Sequence, residues 1–437
     1  MSLSYPEAKA LLDSRGFGIT PGLDRIEMLM RLLSNPQLSI PTVHLAGTNG
    51  KTSTARMITA ILAAHGLSTG LYTSPHLNDV EERFVLAGWD EGPSWQQMSA
   101  DELAATVSYL LPFTEMVENE MGQTLTYFEL TTAMAFEWMS ERSVGAGVIE
   151  TGLGGRWDAT NLVQSTVAVL MPVDVDHATF LGSTPRANGE EKVDIIKEGA
   201  SAVSAPQAAE VMELLVARTQ AVGAPLAVLG RDFFVDSNET AVGGRAVTVR
   251  TGRAVYEDLF LPLHGTHQGI NLAVALAASE AFLNRTLDFD LLQAALATVT
   301  SPGRLEVVGR RPLVVLDGAH NPHAAAALRQ TLASDFLFKN LTIVLSIFED
   351  KDIAAMLQTL VPAADRVILT RAENPRSARP EVLSAAAPVV PGQDKPEIVH
   401  RIQDAVDRAI QISDEDDMVL VTGSIHAVGE ARRHLLG

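Results

Sequence analysis

The chain has 437 residues, of which 46% are hydrophobic and 20% are charged, and it contains no cysteine. This length predicts two folded domains, and the absence of cysteine excludes disulfides and thiolate metal sites. The formal net charge of −20 argues against a surface for duplex nucleic acid, which needs clustered Lys and Arg. No apolar run predicts a membrane span, and no signal-peptide pattern is recognised. We therefore expect a cytoplasmic enzyme.

Two helices, over residues 5–14 and 23–33, are predicted before the first strand. An apolar run over residues 42–46 then leads into Gly47-Thr48-Asn49-Gly50-Lys51-Thr52-Ser53, and helical spacing follows. A strand, a glycine turn and a helix N-terminus together direct backbone N–H groups at a phosphate. The lysine can reach the outer phosphates, and one of the hydroxyls that follow it can hold magnesium. Only two residues separate the glycines, fewer than in the standard P-loop, so an ordinary loop remains an alternative at this point.

Further strand patterns end on polar residues. A second strand ends at Ser74, a third ends on Glu150, and a fourth is followed by Asp176 and His177. Two strands joined by a helix predict a parallel sheet, whose strand ends meet at one edge and bind ligands there. A convergence of oxygen atoms suits magnesium. Histidine is an unusual magnesium ligand, so on this evidence alone His177 is better explained as a structural hydrogen-bonding group.

The segments between these strands carry other patterns. Residues 86–98 lack periodicity and are rich in Gly, Trp and Asp, which predicts a loop or flap. Residues 127–140 predict an amphipathic helix, and residues 186–198 predict an exposed charged helix. From residue 232 to residue 263 the hydrophobic pattern changes to alternation, which predicts appended antiparallel strands.

The segment Thr300-Ser301-Pro302-Gly303-Arg304 predicts a linker. Beyond it, strand patterns alternate with helical stretches, which predicts a second, Rossmann-like α/β domain. The predicted domains are therefore residues 1–299 and 300–437. The first strand of the second domain ends at Asp317, and the last ends just before Ser424. Both strand ends would face the first domain across a cleft.

Several of these motifs occur together, and in the same order, in a known family. The most specific is the segment 148–161, which reads VIETGLGGRWDATN, and residues 73–77, 264–271, 302–304 and 317–322 fall in the expected order. The chain resembles the folylpolyglutamate synthase/dihydrofolate synthase branch of the Mur ligase family of ATP-dependent amide ligases. The resemblance covers nearly the whole chain. It implies an α/β fold, with an N-terminal P-loop NTPase-like Mur ligase central domain and a C-terminal Rossmann-like α/β domain.

The resemblance also implies roles for individual residues. ATP would be bound by Gly47, Thr48, Asn49, Gly50, Lys51, Thr52, Asn271, Arg304 and Asp317. The catalytic residues would be Lys51, Glu150, Lys192 and His320. The metal ligands would be Ser74, Glu150 and His177. Folate would contact Asp24, Arg25, Thr126, Tyr127, Phe128 and Arg156, and glutamate would contact His320 and Ser424.

The implied reaction is amide formation between a folate or dihydropteroate carboxylate and L-glutamate, through an acyl phosphate. Its cofactors would be ATP and Mg²⁺, with K⁺ as an optional second cation, and Lys192 would be carbamylated. The partners would be small-molecule substrates, with no nucleic acid or membrane, and the enzyme would be a monomer.

This sequence departs from the family pattern at two places. Thr52 stands where the folate branch has glycine, and Val193-Asp194-Ile195 stands where it has Ala-Gly-Ile. The second change puts an acid beside the carbamate, which like charges disfavour. A cell-wall Mur-type amino-acid ligase, a P-loop NTPase switch and an inactive folate-binding protein remain as alternatives.

Overall fold

The computed structural model of the chain describes residues 2–16, 22–89, 92–176 and 178–437. Within those residues the strands form three sheets. The strands of the third sheet all follow residue 300. The two larger sheets are mostly parallel with helices packed on them, which is an α/β architecture.

The first sheet is parallel at its centre and antiparallel at one edge. Its strands are β1 (Thr42–Ala46), β2 (Thr69–Tyr72), β3 (Phe84–Gly88), β4 (Ser94–Gln97), β5 (Ala146–Glu150), β6 (Val167–Leu170), β7 (Ser201–Ser204) and β8 (Leu226–Val228). Their order is β4-β3-β2-β5-β1-β6-β7-β8. Neighbours from β2 to β8 pair in parallel, and β3 pairs antiparallel with β2 and β4. β1 lies between β5 and β6, so its C-terminal end opens in the middle of the sheet.

The prediction of a loop or flap over residues 86–98 is wrong. Residues 85–88 of β3 pair antiparallel with residues 94–97 of β4. β4 is the edge strand and its side chains are mostly exposed. An exposed edge strand buries neither face, so its sequence need not alternate apolar and polar residues. This explains why no strand pattern was found there.

The helices before residue 300 pack on this sheet and on one another. They are α1 (Tyr5–Asp13), α2 (Asp24–Leu32), α3 (Lys51–Ala64), α4 (Ala100–Met121), α5 (Tyr127–Glu141), α6 (Ala178–Leu181), α7 (Pro185–Lys192), α8 (Ala209–Val222), α9 (His267–Leu283) and α10 (Phe289–Ala297). α3 is buried along most of its length, because it packs against the first sheet and against α9 and α10. Across the described ranges, no helix is both long enough and apolar enough to cross a membrane.

The prediction of an exposed charged helix over residues 186–198 is wrong about its exposure and its end. α7 ends at Lys192, a 3₁₀ turn over Val193–Ile195 follows, and the lysine is buried. Gly189 of α7 packs against Val211 of α8, where a Cβ would lie 3.3 Å from the valine Cγ2. Arg186 and Glu190 are exposed on the outer face of this segment, whereas Asn188, Gly189 and Lys192 are buried on its inner face.

Two further sheets follow. The second is antiparallel, with β9 (Phe234–Ala241), β10 (Gly244–Arg250) and β11 (Val255–Leu261), as predicted. The third contains β12 (Glu306–Arg310), β13 (Leu313–Leu316), β14 (Leu341–Leu345), β15 (Arg366–Arg371), β16 (Glu397–Arg401) and β17 (Met418–Thr422), in the order β12-β13-β17-β14-β15-β16. Its helices are α11 (Pro322–Asp335), α12 (Ile353–Leu360), α13 (Pro380–Ala386), α14 (Ile402–Gln411) and α15 (Ile425–Leu436). The edge strands β12 and β16 were not predicted, because edge strands lack a buried apolar run.

A buried ion pair joins the second sheet to α11. Arg245 Nη1 on β10 lies 2.8 Å from Asp335 Oδ1 at the end of α11, and the two side chains are 3% and 0% exposed. Asp335 also accepts the backbone N–H of Gly265 at 2.7 Å. Removing either partner of a buried pair destabilises a structure, because the other partner would remain as an uncompensated buried charge.

We expect Asp335→Asn to lower the free energy of unfolding by about 3 kcal/mol, because Arg245 would keep its charge without a carboxylate partner. Urea unfolding followed by tryptophan fluorescence would measure the loss. The control is Asp236→Asn, in the exposed pair with Arg250 whose side chains are 35% and 46% exposed. That variant should lose less than about 1 kcal/mol, and equal losses in the two variants would contradict the assignment.

Candidate active site

A cleft of ≈ 710 Å³ opens between the first and third sheets. It is lined by segments that follow β1, β2, β5, β6, β7 and β13, so it lies at the C-terminal ends of parallel strands. The residues that line the cleft and that the sequence predicted as functional are Gly47, Thr48, Asn49, Gly50, Lys51, Thr52, Ser74, Glu150, Lys192, Asn271, Arg304, Asp317 and His320. The cleft therefore collects all the residues predicted to bind ATP and all those predicted to be catalytic.

The glycine loop between β1 and α3 has no room for side chains at its two glycines. Gly47 has φ +152° and Gly50 has φ +86°, a region that side chains disfavour. A Cβ at Gly47 would lie 2.6 Å from Met171 Cβ, and a Cβ at Gly50 would lie 2.6 Å from Asn271 Oδ1. Lys51 Nζ donates to the Gly47 carbonyl oxygen at 2.9 Å. The loop thus directs the N-terminus of α3 into the cleft, which is the geometry that binds anions.

Glu150 and Thr52 meet beside this loop. The Thr52 hydroxyl lies 3.0 Å from each carboxylate oxygen of Glu150, and the Ser74 backbone N–H donates to the same carboxylate at 3.4 Å. Burial raises the pKa of Glu150, and the positive charge of Lys51 opposes that rise. The group offers carboxylate and hydroxyl oxygens to a hard cation. The third predicted metal ligand, His177, lies outside the described residues.

Arg304 and Asp317 reach the cleft from the side of the third sheet. The Asp317 carboxylate accepts the backbone N–H of Leu305 at 3.0 Å. Burial raises the pKa of Asp317, and the Arg304 guanidinium opposes the rise. Asn49 Nδ2 of the glycine loop lies 3.0 Å from His323 Nδ1 at the start of α11. The two sides of the cleft are therefore in direct contact at the glycine loop.

Asp176 makes another link across the cleft. Lys351 Nζ donates to its Oδ1 at 2.7 Å, and His320 Nε2 lies 3.6 Å from its Oδ2. Asp176 follows β6, whereas Lys351 and His320 follow strands of the third sheet. Lys351 was not among the predicted site residues. Lys351 follows the C-terminal end of β14. Because ligands bind at the C-terminal ends of parallel strands, this position could have marked Lys351 as a candidate site residue.

Lys192 is buried at the edge of the cleft. Its burial, and next the charge of Lys51, lower the pKa of Lys192 to about 8. The nearby Asp194 forms ion pairs with Arg156 and with Arg218, the second at 3.4 Å. The acid that departs from the family pattern is thus neutralised by two arginines.

The residues predicted to contact folate lie outside the lining of the cleft, and all of them except Arg156 lie around the starts of α2 and α5. Arg25 Nη2 forms a buried ion pair with Glu129 Oε1 at 3.0 Å, next to Asp24 at the start of α2. Thr126 caps α5 by accepting the Glu129 backbone N–H at 3.2 Å. The buried Tyr127 lies under the Arg83 guanidinium, with 5.3 Å from the guanidinium carbon to the ring centroid.

Phe128 links this group to the cleft. A Cβ at Gly152 would lie 2.5 Å from its Cζ, so the phenyl ring sits against the backbone of a segment that lines the cleft. Arg156 stands on the same segment, with its side chain 41% exposed. Ser424 also lies outside the lining of the cleft, where it caps α15 by accepting the Ala427 backbone N–H at 3.2 Å.

The glycine-rich segment after β5 is braced by Asp158. Its buried carboxylate accepts the backbone N–H of Leu153 at 2.7 Å and that of Thr160 at 3.0 Å. The Thr160 hydroxyl donates to Asp158, so His44 Nε2, at 2.8 Å, must donate to that hydroxyl. Burial lowers the pKa of His44 to about 3, which agrees with a neutral ring protonated at Nε2. Asp158 belongs to the motif at residues 148–161, but no role was predicted for it.

Comparisons with known proteins agree with this geometry. The family described as "Mur ligase, glutamate ligase domain" matches residues 303–425. The chain is 38% identical to the dihydrofolate synthase/folylpolyglutamate synthase of Mycobacterium tuberculosis, over 98% of this chain and 93% of that protein.

Solved structures show the same fold. Folylpolyglutamate synthase of M. tuberculosis in complex with ADP matches with a TM-score of 0.93 and 38% identity, over 99% of this chain and 98% of that chain. A FPGS–AMPPCP–folate complex matches with a TM-score of 0.85 and 29% identity, over 100% of both chains. Because the identity extends over nearly the whole of both chains, this protein belongs to the dihydrofolate synthase/folylpolyglutamate synthase family of Mur-type ligases.

Proposed function

We propose that the chain is an ATP-dependent ligase that joins L-glutamate to a folate, and also to dihydropteroate, through an amide bond. The observation that best supports this function is that the glycine loop, Glu150 and Arg304 line the same cleft. The relatives support the choice of substrates. A protein 38% identical to this chain is a dihydrofolate synthase/folylpolyglutamate synthase, and solved neighbours were obtained with ADP and with AMPPCP and folate.

The cleft suits a reaction through an acyl phosphate. The folate carboxylate takes the γ-phosphoryl group of ATP and ADP leaves, and the glutamate amine then displaces phosphate. Phosphoryl transfer needs positioning and neutralisation of charge more than covalent help. Lys51 and Arg304 supply positive charge from opposite sides of the cleft. The link between Asp176 and Lys351 joins the two sides of the cleft.

Mg²⁺ fits the oxygen atoms beside the glycine loop. Among the described residues no three His, Asp or Glu side chains are grouped as a metal site. Mg²⁺ does not require such a group, because it is usually held by one or two carboxylates, substrate phosphates and water. We therefore assign Ser74 and Glu150 to the metal, with Thr52 beside them and His177 as a further ligand. The ion would neutralise phosphate charge.

The remaining predicted contacts are assigned from their positions. Asp24, Arg25, Thr126, Tyr127 and Phe128 are assigned to folate because Phe128 connects their cluster to the cleft, and Arg156 is assigned to folate because it stands on the segment that Phe128 contacts. His320 and Ser424 are assigned to glutamate, because they follow the ends of β13 and β17. We also divide the chain into domains 1–299 and 300–437, since the third sheet begins after residue 300.

We further propose that Lys192 is carbamylated. A neutral amine is the form that attacks CO₂, and a pKa near 8 leaves far more of it neutral at physiological pH than the usual value of about 10.4 does. The ion pairs of Asp194 with Arg156 and Arg218 reduce the repulsion between that acid and a carbamate.

The proposed function predicts which substrates support turnover. Purified protein with ATP, Mg²⁺, L-glutamate and tetrahydrofolate or dihydropteroate should release phosphate and add one glutamate to the pterin, as measured by mass spectrometry. Lys51→Met should lower kcat by about a hundredfold or more, because it removes a charge aimed at the phosphates. The matched control is Arg250→Met, which removes an exposed cation on β10. Turnover only with a nucleotide-linked muramyl peptide, or ATP hydrolysis without any carboxylate substrate, would overturn the assignment.

Thr52 provides a second prediction. Its hydroxyl contacts both oxygens of Glu150, whereas the neighbouring Ser53 hydroxyl is engaged with Ser301. Thr52→Ala should therefore lower kcat by about tenfold and raise the Mg²⁺ concentration needed for half-maximal rate, because no adjacent hydroxyl is placed to substitute. Thr52→Ser should retain activity. Equal Mg²⁺ requirements in all three proteins would show that Thr52 has no part in holding the metal.

Carbamylation predicts that activity depends on bicarbonate. Because the neutral fraction of an amine grows as pH rises through its pKa, activation by bicarbonate should increase between about pH 7 and about pH 9. Lys192→Arg should abolish that activation. The control is Lys197→Arg, since the pKa of Lys197 is also lowered to about 8 but its ammonium donates to the backbone oxygens of Asn161 and Val163. An unmodified intact mass, with full activity in bicarbonate-free buffer, would exclude the carbamate.

A further inference from the structure

Helix α3 is fastened to the linker. Ser53 Oγ on α3 lies 2.9 Å from Ser301 Oγ, and both residues are buried. One turn later, Arg56 donates to the carbonyl oxygen of Thr300, and its Nη2 donates to the Thr300 hydroxyl at 3.1 Å. Residues three apart share a helix face, so Ser53 and Arg56 hold two successive linker residues from one face of α3.

An aromatic ring supports the Arg56 contact. The guanidinium carbon lies 5.1 Å from the ring centroid of Trp95, in the edge strand β4. A ring over one face of a guanidinium leaves the in-plane N–H groups available for hydrogen bonds. Trp95 Nε1 in turn donates to the Thr298 hydroxyl at 3.4 Å, just before the linker. The linker (residues 300–304) is therefore hydrogen-bonded to α3. Trp95, in the hairpin of β3 and β4, packs against Arg56 and donates to the residue just before the linker.

After Ser301 the chain forms one tight turn, which places Arg304 in the lining of the cleft. The Arg304 backbone N–H donates to the Ser301 carbonyl oxygen at 3.0 Å, which closes a four-residue turn. Pro302 occupies its second position and Gly303, with φ +67°, its third, which is the pattern of a type II turn. The Gly318 backbone N–H donates to the Gly303 carbonyl oxygen at 2.8 Å. The turn is thus tied to α3 at one end and to the segment after β13 at the other.

We propose that Ser53, Arg56 and Ser301 are positioning residues that set Arg304 against the phosphates bound at the N-terminus of α3. The proposal rests on the ligase function proposed above. Ser301 takes no direct part in the reaction; its hydroxyl acts by fixing the position of Arg304. Through these contacts, Ser53 and Arg56 in α3 fix the position of the linker, and the linker in turn fixes the position of the Arg304 guanidinium on the other side of the cleft.

The physical reason lies in the precision that charge stabilisation needs. Ser53 is in the first turn of α3, so the linker is located relative to the same turn that binds phosphate. Arg304 follows Ser301 by three residues through a turn with little freedom. A misplacement of a catalytic group by about 1 Å can lower the rate by about a hundredfold. Even one hydrogen bond that restricts the position of Arg304 would therefore raise kcat.

A rival interpretation is that Ser53 is a magnesium ligand, since it follows Thr52 directly and also lines the cleft. In that case Ser53→Ala would impair the enzyme but Ser301→Ala would not, because Ser301 would then contribute only to local packing. The two interpretations therefore differ in the behaviour of the linker residue and of the double variant.

The kinetic test is a double-mutant cycle. Ser53→Ala and Ser301→Ala should each lower kcat by roughly three- to tenfold, with little change in KM for ATP, because one neutral hydrogen bond is lost. The double variant should be no slower than the slower single variant, since both changes remove the same contact. Ser301→Thr, which keeps a hydroxyl, should recover most of kcat. The expected outcome is thus a non-additive loss in kcat.

The matched control is Ser140→Ala, which removes a hydroxyl from another serine pair, in which Ser39 Oγ lies 3.2 Å from Ser140 Oγ. It should leave kcat within about twofold of the unaltered chain, because neither serine lines the cleft. Unchanged kcat in Ser301→Ala, or losses that multiply in the double variant, would overturn the proposal. Thermal melts of all variants would confirm that each one is folded.

A second readout does not require ligation. ADP with Mg²⁺ should slow hydrogen–deuterium exchange in the peptide 300–305 of the unaltered chain, because phosphate at α3 would stabilise the linker contacts. Ser301→Ala should lose this protection while still binding ADP. Equal protection in the variant would overturn the proposal. Absence of turnover with folate substrates in the unaltered chain would instead contradict the proposed function, so the two failures are distinguishable.

Discussion

The site depends on one close approach between backbone and side chain. Gly50 has φ +86°, and a Cβ at this position would lie 2.6 Å from Asn271 Oδ1. Asn271 is buried on α9 and donates to Gln268 at 2.9 Å, so its amide cannot move away freely. The glycine loop, α3 and α9 therefore fit together only as a unit. Because that unit fixes the direction of the first turn of α3, it also fixes where Lys51 and Thr52 stand relative to the ends of the neighbouring strands.

Electrostatics in the cleft oppose the charge of the whole chain. A net charge of −20 would repel a nucleotide, but charges beyond about 8–10 Å are largely screened at physiological ionic strength. Lys51 and Arg304 act within the cleft, where screening is weak. Burial raises the pKa of both Glu150 and Asp317, and the nearby cations oppose that rise. Acids and cations in the cleft thus stabilise one another, which allows the site to hold both without depending on the distant surface.

How much the sequence predicted depended on which elements were buried. The central strand β1 is an apolar run because both its faces are covered, and its pattern with the glycine loop was recognised directly. The edge strands β4, β12 and β16 were missed because exposed strands need no such pattern. The residues predicted to bind ATP were implied by the family resemblance, and all of them line one cleft. The contact of Lys351 with Asp176 and the pairing of Ser53 with Ser301 were not predicted, because each joins segments far apart in the chain, which no local spacing encodes.

The strand β5 connects the proposed metal and phosphate site to the proposed folate cluster. Its last residue, Glu150, faces Thr52 and the glycine loop, while Gly152 just beyond it lies against Phe128. A side chain at Gly152 would meet that ring at 2.5 Å, so the segment must pass this point as bare backbone. Asp158 then holds the segment by accepting the Leu153 backbone N–H at 2.7 Å. Since Glu150 and Gly152 are two residues apart, the proposed phosphate site and the proposed folate cluster are located relative to the same short stretch of chain.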